Sequence, residues 1–207
     1  VFSGSQGVKI LAPVEVYKGG TPAGAAFNPD DLVMKIDENS RIFSSNEPSG
    51  SGNTLFGAYA GRDIATGGNY NTHIGYRAGR GNTTGLANTS LGWEALKGNL
   101  VGDRNTAVGY QALESAAFAD GTGDNTAVGT DAGQAVTDGI KNTCIGSSAG
   151  TDITTGDENV FIGHQAGDAT LLSSKNVGIG AGALGDVLVA GSHGGPDGTV
   201  AIGYNAC

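Results

Sequence analysis

The chain has 207 residues, 38 of them glycine, and only 15% of it is charged, well below the quarter usual in globular domains. Glycine without a three-residue period and with only five prolines excludes collagen, and apolar residues recurring at fixed offsets argue for order rather than low-complexity disorder. A formal charge of −9 repels phosphate backbones and anionic lipid, so no nucleic acid is an expected partner, and the absence of any long apolar run leaves no membrane insertion to expect.

Residues 1–52 carry no repeat. Short runs with β character stand at 7–11 (GVKIL), 13–18 (PVEVYK), 32–37 (LVMKID) and 41–44 (RIFS). Between them, residues 19–31 read as a loop from their glycine and proline, and residues 48–52 as a junction. This segment is expected to be a small β module or a cap, because a solenoid end needs protection from edge-to-edge pairing.

From Asn53 to the end the chain repeats N-T-x-Φ-G-x-x-A, where Φ is a large apolar residue. The nine copies read NTLFGAYAG, NTHIGYRAG, NTSLGWEAL, NTAVGYQAL, NTAVGTDAG, NTCIGSSAG, NVFIGHQAG, NVGIGAGAL and TVAIGYNAC. Their central glycines are Gly57, Gly75, Gly92, Gly109, Gly129, Gly146, Gly163, Gly180 and Gly203, at spacings of 18, 17, 17, 20, 17, 17, 17 and 23. A period near 17 with β-branched residues two apart is too short for helices and predicts one solenoid coil per copy, built as two short strands and two turns. The fold class is therefore all-β: a parallel β-solenoid, or β-roll, of about nine coils over residues 53–207.

Each column has a physical reading. The Thr/Val column, Thr54 to Val200, and the bulky column, Phe56 to Ile202, share one face of the strand and are read as inward. The column between them (Leu55, His73, Ser90, Ala107, Ala127, Cys144, Phe161, Gly178, Ala201) varies as a solvent-facing or interchain column would. The central glycine marks a sharp corner, and glycines 67, 85, 102, 139 and 156 fall where a second corner belongs. An alanine three residues after each central glycine implies layers closing on a thin core. The leading asparagines, Asn53 to Asn176, suit an amide ladder. So thin a core per coil leads to the expectation that several chains associate side by side.

Little in the chain suggests chemistry. His73, His164 and His193 lie in non-equivalent columns with no nucleophile pattern beside them, so no catalytic residue is assigned. Asp103, Asp124, Asp138 and Asp157 recur near turns, but no calcium-roll nonapeptide is present, and they read as solvated turn carboxylates; no metal or cofactor is expected. Cys144 and Cys207 lie three coils apart, about 14 Å at the usual strand spacing, too far to bridge. Ice binding is set aside because the regular threonine column is read as inward. For receptor contact two surfaces stand out. One is the aromatic ladder Tyr76, Trp93 and Tyr110 in the column after the glycine, which turn packing or interchain contact would also explain. The other is the pair of insertions at 114–124 and 185–198, with Phe118 and His193.

The motif NTAVGYQAL, and TVAIGYNA in the last copy, resembles the SVAIGxxA repeats of trimeric autotransporter (YadA-like) adhesin heads, which are left-handed β-rolls of three chains about one axis. The repeat is still more similar to bacteriophage tail-fibre proteins with runs of N-[TV]-x-[IV]-G-x-x-A-[GL], in which a segment like IDENSRIFSSN at 36–46 often precedes the repeats. The likeness covers residues 36–207, and the coil here is longer than in the adhesins. It implies a homotrimer in a virion tail fibre or on an extracellular surface. Its implied partners are other fibre or baseplate proteins and a host surface glycan or protein. An adhesin head and a glycan-degrading spike are the alternatives. The chain itself is expected to be a segment of a longer protein.

Overall fold

A computed structural model describes residues 14–17, 32–36, 42–43, 52–169, 172–185 and 197–207. The N-terminal segment contains β1 (Val14–Tyr17), β2 (Leu32–Ile36) and β3 (Ile42–Phe43), an antiparallel sheet in the order β1-β2-β3. Val14 pairs with Ile36, and Ile36 also pairs with Ile42. Three of the four expected strand runs are thus present; the run at 7–11, the loop at 19–31 and most of the junction lie outside the described residues.

The repeats form a nine-stranded parallel sheet of β4 (Thr54–Phe56), β5 (Thr72–Ile74), β6 (Thr89–Leu91), β7 (Thr106–Val108), β8 (Thr126–Val128), β9 (Thr143–Ile145), β10 (Val160–Ile162), β11 (Val177–Ile179) and β12 (Val200–Ile202). Strand order follows chain order, and like column pairs with like: Thr54 with Thr72, Val160 with Val177, Ile179 with Ile202. The chain is a parallel β-solenoid, and no helix occurs among the described residues. Each coil contains one three-residue strand, not the two expected. The return leg is a run of turns that nevertheless bonds rung to rung: Gly79 N–H donates to Ala95 O, Gly133 to Ala149 O and Leu184 to Ala206 O, at 2.8–2.9 Å. Left-handed residues on that leg prevent a second strand. Arg77, Glu94, Gln111 and Gln165 all have φ near 55°, as do Leu96 and Leu113, and such residues turn the chain rather than extend it.

The asparagine ladder is present and unbroken. Each Asn Oδ1 accepts the backbone N–H of the next column member, from Asn53–Asn71 (2.7 Å) to Asn176–Thr199 (2.9 Å). Most of the side-chain amides also donate to a second-corner carbonyl, as Asn71 does to Gly85 O and Asn142 to Gly156 O. Buried amides with both ends satisfied fix the register between coils.

The strand faces are the reverse of the expectation. The middle column lines the interior: His73, Ser90, Ala107, Ala127, Cys144 and Phe161 are buried, while the Thr/Val and bulky columns face outward. The alanine column is buried as expected from Ala60 to Ala183 and partly buried at Ala206, and the residue after it is buried where it is leucine. The interior is so narrow that middle residue and return leg share one volume. Large middle residues face glycine (His73 with Gly79, Phe161 with Gly167), and three small ones face leucine (Ser90 with Leu96, Ala107 with Leu113, Gly178 with Leu184), while beside Ala127 and Gly133 the space is shared by Leu113 and Val136. A core this narrow has no room for a β-branched or aromatic residue at every turn.

Candidate functional site

With the faces reversed, an apolar column runs along the outside of the solenoid. Phe56 is 70% exposed, and Leu91, Ile145, Ile162 and Ile202 are also exposed, in one column along the sheet. The Thr/Val column runs parallel to it, two residues away on the same face. Threonine does therefore face outward, but the column changes to Val160, Val177 and Val200. Its neighbour mixes Phe, Ile, Leu and Val, so the face lacks the even threonine array that ice binding needs.

Both borders of this face are regular. On one side the residues before the asparagines alternate in sign: Arg104, Asp124, Lys141, Glu158, Lys175, all exposed and left-handed. Arg104 holds Asp124 through two bonds of 2.6 and 3.0 Å, which together with the charges of Arg104 and Lys141 keep the Asp124 carboxyl below its ordinary pKa. Lys141 lies 3.8 Å from Glu158.

On the other border stands the aromatic ladder. Trp93 and Tyr110 stack at 4.8 Å between centroids and 6° between planes; Tyr76 and Trp93 stack at 6.1 Å and 18°. Tyr59, which the sequence reading did not include, meets Tyr76 edge-on at 6.0 Å, and the Arg77 guanidinium lies 4.9 Å from the centre of the Tyr76 ring. The three expected rings are together and exposed, but they cover one another's faces. Sugar stacking between them is closed.

Beyond the ladder is an ionic chain. Buried Glu94 accepts from Arg77 (2.9 Å) and Lys97 (3.0 Å), and Lys97 also reaches Glu114 (2.6 Å). Burial pushes the Glu94 carboxyl up, but hydrogen bonds from Arg77 and Lys97 outweigh it and hold the group below its ordinary range.

The remaining candidates are placed elsewhere. Phe118, expected at a projecting loop, is 1% exposed and belongs to the core. The insertion widens its coil, and the ring fills the space beside Gly102, where any side chain would collide with it. His193 lies outside the described residues. Two of the turn aspartates bind backbone rather than solvent alone: Asp103 accepts from Leu86 N–H and Asp157 from Ile140 N–H, each at 2.8 Å. Among the described residues no three His, Cys, Asp or Glu side chains are grouped to hold a metal. Cys144 is buried and Cys207 exposed, and neither is bridged. Burial pushes the Cys144 thiol up to about 12. His73 Nδ1 lies 2.8 Å from Ser90 Oγ, with Asn82 Nδ2 3.5 Å from Nε2. All three are sealed in the core, where no substrate reaches them.

Comparison with family profiles, with curated proteins and with solved structures finds no match.

Proposed function

We propose that the chain is a structural and host-attachment segment of a trimeric phage tail fibre, without catalytic activity. The observation that carries this reading is the outward pair of columns. Nine rungs at the strand spacing make a strip about 40 Å long and on the order of 10 Å wide, near the upper size for an exposed apolar patch on a monomer. A strip of that kind with a charged border suits the centre and rim of a subunit interface. Three copies packed about one axis cover it, and the solenoid then serves as a stiff spacer. The motif resemblance supplies the fibre context. Analytical ultracentrifugation of the purified chain is expected to give the mass of three copies. Ile145→Asp with Ile162→Asp is expected to release single chains that keep the parallel sheet. A stably folded wild-type monomer at micromolar concentration would overturn the trimer, and failure of the trimer to adhere to any host cell would overturn attachment.

A further inference from the structure

Each strand is flanked by two outward positions six residues apart, one before the asparagine and one after the central glycine. The first forms the charged border of the apolar strip, the second its aromatic border. Compared within a rung, the two borders are complementary. Trp93 stands level with Ala87 and Tyr204 with Gly198, a large ring on one border against a small residue on the other. His164 stands level with Glu158, and the small Ser147 with Lys141. All eight of these residues are exposed.

Arg104 and Tyr110, level in the fourth rung, add a directional match. Arg104 leans towards the fifth rung, where it holds Asp124. Tyr110 is covered by Trp93 on its third-rung side, and its fifth-rung neighbour in the column is Thr130, which brings no ring. A guanidinium whose N–H edge is occupied still offers a flat face to an aromatic ring. Arg77 already lies over Tyr76 in this way within the chain, 4.9 Å from the ring centre. Inside one chain the level partners stay apart, because the strand and its corner separate them by on the order of 10 Å.

We propose that the charged border of one chain packs along the aromatic border of a second copy, parallel and rung on rung. The inference rests on the trimer reading and supplies its subunit contact. Three flat faces turned towards one axis meet at three corners. Each corner joins opposite borders of neighbouring chains, the head-to-tail contact from which a closed ring is built. Chains related by a three-fold axis stand level, so each residue meets the partner of its own rung. A slip of one rung is unfavourable in either direction. It sets Lys141 or Lys175 against His164, and puts Tyr70 or Arg104 beside Trp93 in place of Ala87.

The test uses the full chain carrying Cys207→Ser, in which the remaining Cys144 is buried. Bridged cysteines need Cα atoms within about 7 Å. Lys141→Cys with Ser147→Cys is therefore expected to link chains on mild oxidation, up to a covalent trimer. Lys141→Cys with His164→Cys, one rung out of step, is expected to link far less. Charge gives a second readout, because the favoured sign reverses from rung to rung. Thr130→Lys opposite Asp124, and Ser147→Asp opposite Lys141, are each expected to tighten the trimer about tenfold in sedimentation equilibrium, three exposed pairs acting together. Thr130→Asp and Ser147→Lys are expected to loosen it by a similar factor, with the circular dichroism of the sheet unchanged. No linking, linking that favours the slipped pair or ignores the rung, or signs that fail to reverse overturns the pairing. Where such a chain still sediments as three copies, the trimer stands without it. A chain that sediments as single copies removes trimer and pairing together.

Discussion

Phe161 and Gly167 share one volume: a Cβ on Gly167 would lie 2.5 Å from Cγ and Cδ1 of the Phe161 ring. Three coils earlier the same positions hold Ala107 and Leu113, both buried, so the bulk has moved from strand to return leg. Phe161→Ala is expected to cost about 3–5 kcal/mol as a cavity, and Gly167→Leu about 1–3 kcal/mol or more by overpacking. The double variant recreates the pair of the earlier coil. Urea unfolding of the four proteins is expected to show the double variant more stable than Phe161→Ala alone, a coupling of about 1–3 kcal/mol. Simple additivity would show that the two positions do not share the space.

Two kinds of glycine in the coil differ in what they require. Gly146 has φ 135°, a region that residues with a Cβ avoid, and a Cβ there would run into the Gly163 carbonyl of the next rung. Gly133 has φ 58°, which Leu96, Leu113 and Leu184 adopt in the same column. Gly146→Ala is expected to lower stability by roughly 3 kcal/mol or more, and Gly133→Ala by about 1–2 kcal/mol. Thermal melts that rank the two equally would contradict this assignment of the corner.

Burial lowers His73 to about 4 from an ordinary 6.5. The unfolded chain therefore binds a proton between these values that the folded chain excludes. Stability from this site is complete above pH 6.5, falls as pH drops towards 4, and is level below. The full loss is about 3 kcal/mol. His73→Phe, which reproduces the Phe161–Gly167 arrangement against Gly79, is expected to remove that slope. Glu94 and Asp124, held below their ordinary range, act at lower pH, where their contribution is lost as pH falls through their folded values. A His73→Phe melting curve as steep as the wild type between pH 6.5 and 4 would sink the assignment.

Much of this was legible because one rung's rules are copied nine times. The glycine corner, the alanine column and the asparagine ladder each follow from a single residue type at a fixed offset. Which face of the strand turns inward did not follow. A three-residue strand has too little length for alternation to name its buried side, and an outward apolar column meant for another surface looks like a core. The deciding signal was in the sequence but lay across the coil: His73 and Phe161 are followed by Gly79 and Gly167, whereas Ser90, Ala107 and Gly178 are followed by Leu96, Leu113 and Leu184. Phe118 was misplaced for a related reason. Insertions usually project, yet this one carries a large ring beside Gly102, where a Cβ would collide with it.

The ladder should behave as a chain of couplings rather than as eight separate bonds. Asn142 sits near its centre: Nδ2 donates to Gly156 O (2.7 Å), and Oδ1 accepts both the N–H and the side-chain amide of Asn159 (3.0 Å each). Asn142→Ala leaves a buried carbonyl and a buried N–H without these partners, about 2–5 kcal/mol in total. Asn142→Asp keeps the acceptor for Asn159 but turns a charged oxygen towards Gly156 O, in a site with no cation to offset its burial. At neutral pH it is therefore expected to be at least as destabilised as the alanine variant. On mild acidification the protonated carboxyl can donate to Gly156 O, and stability should partly return. Because coils stabilise one another only through neighbours, hydrogen exchange should quicken on both sides of rung six in either variant, in the strands Thr126–Val128 and Val160–Ile162 as well as in the mutated coil. Exchange that quickens only within the mutated coil would mean that the rungs are held together chiefly by backbone bonds, with the amide ladder secondary.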